Sequence, residues 1–191
     1  MGVKGQMISI LRSNETSRIA FSFTGSNGAT ISVGQASFRR VASALEDGRL
    51  SVVEGRFTTN IAMYSAAANS DDNTAANTFY LGNNPRYSRL FNALIVHESV
   101  HASFDLTSAT LPWLDNEAAA YIAQAYYARN SGLGRLTFDF GSPTIIAYSV
   151  VQGMRANNTS DVSFFLDELR NSLNSSPMYH DYIRTTFTGD G

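Results

Sequence analysis

The chain has no cysteine, which excludes a thiol nucleophile, a disulfide framework and a thiolate zinc finger. That absence says little about compartment, because a cysteine-free domain persists in reducing and oxidising surroundings alike. Charge is also scarce: charged residues are 16% of the whole and the formal net charge is -2. Beyond Arg39-Arg40 there is no basic cluster, so nothing electrostatic favours a nucleic-acid partner. No apolar run approaches the roughly 20 residues that span a bilayer, so no membrane span is expected. The first eleven residues have too short an apolar core for a signal peptide, and no small-residue cleavage site follows. The expectation is a cytoplasmic chain, one delivered or secreted by a signal-independent route, or one whose signal has been removed. Oligomeric state is left open.

Against these absences stands a hydrophobic content of 43% in 191 residues. That is enough to bury a core without staples and fits one globular domain over 1–191. Residues 7–11 and 18–23 read as strands, the second because Ile19, Phe21 and Phe23 alternate with small residues. Residues 13–16 read as the turn of a hairpin between them, Ser26-Asn27-Gly28 as a second turn, and 30–33 as a third strand. Phe38, Val41, Ala42 and Leu45 then recur at helical spacing over 36–47, with Gly48 as the stop. Residues 50–54, 61–64 and 78–81 are β-prone, and the Asp71-Asp72 loop lacks the spacing of a calcium loop. Asn84 can cap a helix that Pro85 begins, and helices are expected over 87–105, 116–129, 142–155 and 161–173. Asp115 or Asn116 would cap the second of these and Ser160 the last, with Phe164, Phe165, Leu169 and Leu173 inward. Residues 179–187 are a short helix or an ordered tail. Strands first and helices second predict an α+β fold with a largely antiparallel N-terminal sheet.

The informative stretch is 90–105. His97, Glu98 and His101 form an H-E-x-x-H motif. Residues four apart share one helical face, so the two imidazoles can hold one Zn²⁺ while Glu98 acts as base on a water. Leu90, Leu94, His97, His101 and Phe104 lie on one stripe, which puts both histidines where core-facing residues are expected. Two of the chain's three histidines fall in this motif. Two satisfied core histidines beside a buried ion pair are the plainer alternative. An open catalytic site needs a third ligand. The residue six after His101 is Thr107, which excludes the metzincin pattern. Glu117 is the better choice, at the start of an alanine-rich helix (Ala118, Ala119, Ala120, Ala123) able to approach the first closely. An acid favoured by a helix N-terminus is the alternative for it. Asp105 and Asp115 are reserves, and Asp105 could instead accept an imidazole N–H.

Residues 94–102 followed by 113–120, with His97-Glu98-x-x-His101 and then Asn116-Glu117-x-x-Ala120, resemble the zincin metallopeptidases of the gluzincin type. The resemblance covers about residues 78–130 and leaves the subfamily unsettled. The interval from His101 to Glu117 is shorter than in thermolysin-like or aminopeptidase-like enzymes, and Tyr121 stands where the former place an orienting acid. The resemblance implies a zincin-like fold, zinc ligands His97, His101 and Glu117, one Zn²⁺, and Glu98 as general base. It also implies an edge strand lining the cleft just before the active helix, which 77–81 would supply for peptide pairing. For the developing oxyanion, His180, Tyr179, Tyr182, Tyr126 and Tyr127 are possible donors, although His180 also reads as an exposed tail residue. The expected function is zinc-dependent hydrolysis of a peptide or protein substrate, as an endopeptidase or a toxin or effector protease. A non-catalytic zinc-binding relative, acting as a sensor or interaction domain, is the alternative, as is a structural or metal-free domain.

Overall fold

The computed structural model describes residues 2–58, 61–83, 88–137 and 142–191. The expected cap Asn84 and helix start Pro85 lie outside them. The described residues form an α+β fold. The N-terminal half runs α1 (Val3–Leu11), α2 (Asn14–Ser17), β1 (Phe21–Thr24), β2 (Thr30–Val33), α3 (Gln35–Glu46), β3 (Ser51–Phe57), β4 (Ala62–Ser65) and β5 (Thr78–Gly82). The remainder runs α4 (Arg89–Asp105), β6 (Thr110–Pro112), α5 (Trp113–Asn130), α6 (Pro143–Arg155), α7 (Thr159–Asn174) and β7 (Thr186–Thr188).

The start of the chain departs from expectation. Residues 7–11 belong to a helix, because Val3, Met7, Ile10 and Leu11 bury one face at helical spacing. Five residues viewed alone carry too few positions to show that period. Ser13 caps α2, its Oγ accepting from Thr16 N at 3.2 Å, so 13–16 is not a hairpin turn. The hairpin lies one step later: β1 and β2 pair antiparallel with Phe21 opposite Val33. Its turn uses Gly28 at a φ of 83°, a conformation that suits glycine. α3 matches its expected span within a residue at each end, and Gly48 (φ 77°) follows it.

Three small sheets replace the single, largely antiparallel one. In the sheet beside α4, β5 is central: it pairs parallel with β3 (Val52 opposite Phe79) and antiparallel with β4 (Tyr64 opposite Phe79). Every residue of β5 is buried, as befits a strand covered on both faces. Residues 77–81 are therefore not the edge, and on the side facing α4 that role falls to β4. Gly82 N donates to Ile61 O at 2.9 Å. Antiparallel alternation from that pair turns the backbone N–H groups of Ala62 and Tyr64 away from β5.

α4 begins at Arg89, with Ser88 Oγ accepting from Phe91 N. Phe91, Ala93, Val96 and Val100 are buried. Leu90, on the histidine stripe, is 37% exposed, and Leu94 and Phe104 are half-buried. The stripe is thus the line of α4 nearest solvent, not its core face. α5 starts three residues earlier than expected, after Pro112, which makes Glu117 its fifth residue. Its alanines at 118, 119, 120 and 123 are fully buried, and α5 packs along α4. α6 and α7 pack on one another and on α5, with Leu166, Leu169 and Leu173 inward. Phe164 does not join them and is 61% exposed. Asn158, not Ser160, caps α7. Residues 177–188 make a 3-10 turn (Pro177–Tyr179) and then β7, which pairs with β6 through Leu111 and Phe187. No helix of the described residues is long and apolar enough to cross a membrane.

Candidate metal centre

α4 brings His97 and His101 to one place because they are one turn apart, and the fifth residue of α5 meets them there. His97 Nε2 lies 3.5 Å from Glu117 Oε2, and His101 Nε2 lies 3.8 Å from Glu117 Oε1. All three residues are buried, and their ligand atoms lie within 4.8 Å of one another. His97 Nδ1 sits 3.0 Å from Gln124 Oε1, and His101 Nδ1 sits 2.8 Å from Asn116 Oδ1. Amide oxygens accept, so the proton belongs on each Nδ1 and the Nε2 lone pairs turn toward Glu117. Glu117 Oε2 is buried without a hydrogen-bond partner. With the His97 proton on Nδ1, the 3.5 Å approach of Glu117 Oε2 to Nε2 sets a carboxylate oxygen against a lone pair and is not a hydrogen bond. A cation between two imidazole lone pairs and an unpartnered carboxylate oxygen satisfies all three. These residues can therefore hold a metal ion.

Glu98 stands beside this cluster and outside it. Its Oε2 accepts from Tyr64 N of β4 at 2.8 Å. Tyr182 donates its hydroxyl to Glu117 Oε1 at 3.3 Å. Tyr121 packs edge-on against the His97 ring at 4.6 Å, and its hydroxyl meets that of Tyr179. Trp113 and Phe187 close the side beyond His101. From there a cleft of about 630 Å³ runs between β4 with the loop after it and β7, lined among others by Tyr64, Ala67, His101 and Thr186.

Several expected residues lie elsewhere. Asp105 does not orient an imidazole; it accepts from Tyr64 Oη at 2.5 Å and from Asp190 N at 3.1 Å. Asp115 is held by Arg170 at 2.8 Å and by Ser26 at 2.7 Å, so it ties the start of α5 to α7 and the β1–β2 turn. The side chain of His180 is 84% exposed and touches Asp181. Tyr126 stacks on Phe21, and Tyr127 bonds Asn92. Neither is at the cluster. Asn116, Gln124 and Tyr64 were not foreseen as parts of the site. Gln124 did carry a signal: it is the amide within the buried alanine-rich run of α5, two turns after Glu117 and on its face.

The charges are mutually dependent. Burial by itself pushes Glu117 up, but the imidazoles of His101 and His97 outweigh it and the net direction is down. Burial pushes His97 down, yet the carboxylates of Glu117 and Glu98 outweigh it and carry it above its ordinary 6.5. Burial dominates at Glu98 and raises it, with both histidines opposing. A metal needs neutral imidazoles, so protons compete with it as pH falls through the raised pKa of His97. Chelator competition should show metal affinity climbing as pH rises from 6.5 through the raised value of His97. The metal-free protein should behave oppositely on that side. The stability from raised His97 is complete below 6.5 and lost as pH rises through its folded value, while that from lowered Glu117 is present above 4.5 and lost as pH falls through its folded value. Thermal unfolding without metal should therefore be most resistant in mildly acidic solution.

Compared with protein-family models, with curated proteins and with solved structures, the chain matches none.

Proposed function

We propose that the chain is a zinc-dependent metalloendopeptidase of the zincin kind, with His97, His101 and Glu117 as zinc ligands and Glu98 as general base. The observation that carries this reading is the division of labour in one buried cluster. Two imidazoles with fixed tautomers and one carboxylate converge, while a second carboxylate stands beside them and takes its hydrogen bond from the strand.

The donor set supports zinc. Two nitrogens and one oxygen suit that ion, and ligands about 2.0–2.1 Å from a tetrahedral centre are roughly 3.4 Å apart. The 3.5 and 3.8 Å separations are close to that. Three protein ligands leave a fourth position for water or substrate. Bound there, zinc would supply Lewis acidity toward a peptide carbonyl and acidify a water. The chain's own residues do the rest. Asn116 and Gln124 keep the imidazoles aimed. Glu98, holding Tyr64 N–H through Oε2, takes the proton of the attacking water on Oε1 and returns it to the departing amine nitrogen. Tyr182 now gives its one hydroxyl proton to Glu117 Oε1 and would have to release that bond to donate to the carbonyl oxygen as it gains charge. The cleft between β4 with its following loop and β7 suits an extended peptide.

Two histidines and one carboxylate also serve ferrous oxygenases, so the metal itself is diagnostic. Elemental analysis of the purified protein should find about one zinc per chain. A peptide library should be cleaved, cleavage should stop on chelation, and zinc should restore it. Iron at that stoichiometry, or zinc-loaded protein that cleaves nothing, would overturn the reading.

A further inference from the structure

Tyr64 touches α4 twice. Its backbone N–H reaches Glu98 Oε2 at 2.8 Å, and its hydroxyl reaches Asp105 Oδ2 at 2.5 Å. Glu98 and Asp105 are seven residues apart, two turns along one helical face and about 10 Å in rise. One strand residue therefore spans two turns of the helix that carries the base. The hydroxyl also lies 3.0 Å from Asn77 Oδ1; it has one proton, and the shorter contact to a carboxylate takes it. Asp105 is fully buried, and its other oxygen accepts from Asp190 N. The Tyr64 ring is buried against Phe79 at 4.9 Å.

The geometry points to Tyr64 as a positioning residue for Glu98, with Asp105 as its anchor. The inference rests on the peptidase reading, in which Glu98 is the base. An edge-strand N–H is ordinarily free to turn to water or to an added strand. Here it is committed to Glu98, and what commits it is the far end of the same residue. With the hydroxyl pinned two turns along α4, β4 cannot slide or lift without breaking the Asp105 bond. Glu98 Oε2 is thereby fixed, and Oε1 is left to face the reacting water. Tyr64 makes no bond to His97, His101 or Glu117 among the described contacts, so its loss acts on the base and not on the metal.

Tyr64→Phe removes the anchor and keeps the ring. Asp105→Asn keeps the tie with its direction reversed: the amide oxygen accepts from Asp190 N, and the amide N–H donates to Tyr64 Oη, whose proton then turns to Asn77 Oδ1. Asp105→Ala removes the tie. Amide hydrogen exchange at residue 64, read by NMR on metal-loaded protein, should show protection in the wild type. Protection should fall at least tenfold in Tyr64→Phe and Asp105→Ala, and stay within about threefold in Asp105→Asn. On a cleaved peptide, kcat of Tyr64→Phe should fall roughly 10–100-fold, with KM and zinc affinity unchanged within about twofold. Asp105→Asn should recover most of that loss and Asp105→Ala none. Unchanged amide protection in Tyr64→Phe overturns the clamp, and so does a loss of kcat that only tracks loss of zinc. If wild-type protein cleaves nothing, the peptidase reading fails, and the exchange pattern still decides whether Tyr64 and Asp105 hold Glu98.

Discussion

Glu98→Gln is expected to leave a folded protein with about one equivalent of zinc and a rate of peptide hydrolysis lower by roughly 10²–10⁴-fold, the range general-base catalysis supplies. Fold and metal should survive for local reasons. Glutamine keeps an oxygen where Glu98 Oε2 accepts Tyr64 N–H. It also removes a buried charge that is not among the grouped ligands. What it cannot do at neutral pH is take a proton from water. Single-turnover cleavage with the metal content measured on the same sample checks this. Activity at the wild-type level with glutamine in place would mean that another group is the base. Glu98→Ala is the poorer variant, because it strands the Tyr64 N–H and mixes structural damage with lost chemistry.

Glu117→Ala should release the metal. Loss of an outer partner of a ligand costs about 10–100-fold in affinity, and loss of the ligand itself should exceed that. The two reserve acids, Asp105 and Asp115, do not stand ready to replace it. Asp105 is engaged by Tyr64 and Asp190, and Asp115 by Arg170 and Ser26. The matched control is Asp115→Asn, two residues away on the same helix. It should keep the metal and lose roughly 1–3 kcal/mol of stability, because it leaves Arg170 without its buried charged partner. Chelator competition and thermal unfolding of the two variants should move in opposite columns: affinity for the first, stability for the second. Glu117→Ala that still held zinc at wild-type affinity would remove Glu117 from the ligand set.

Much of the cluster was legible because its two halves are local. Four-residue spacing places His97 beside His101 whatever the rest of the chain does, and an alanine-rich helix soon after can bring Glu117 close. The partners behind the imidazoles were less legible. Asn116 and Gln124 are neutral amides, and an amide in a helix has no distinctive spacing until the imidazole it faces is known. The reserve acids misled for a related reason: a carboxylate near the motif in sequence need not face it, and Asp115 turns instead to a helix 55 residues away at Arg170. Fold elements were readable where amphipathic periods were long, as in α3. They failed at residues 7–11, where five residues satisfy either period, and at β5, whose burial on both faces removes the alternation that separates edge from centre.

The amide oxygens behind His97 and His101 have an electrical consequence. Had both been carboxylates, the buried volume would carry two more negative charges. As built, Glu117 and Glu98 are the carboxylates immediately around the cluster, and a dipositive ion among them gives a whole that is formally neutral. Moving a proton from water to Glu98 redistributes charge inside that volume without changing its sum. In the peptidase proposed above, the helix pair would carry that proton transfer without burying a net charge.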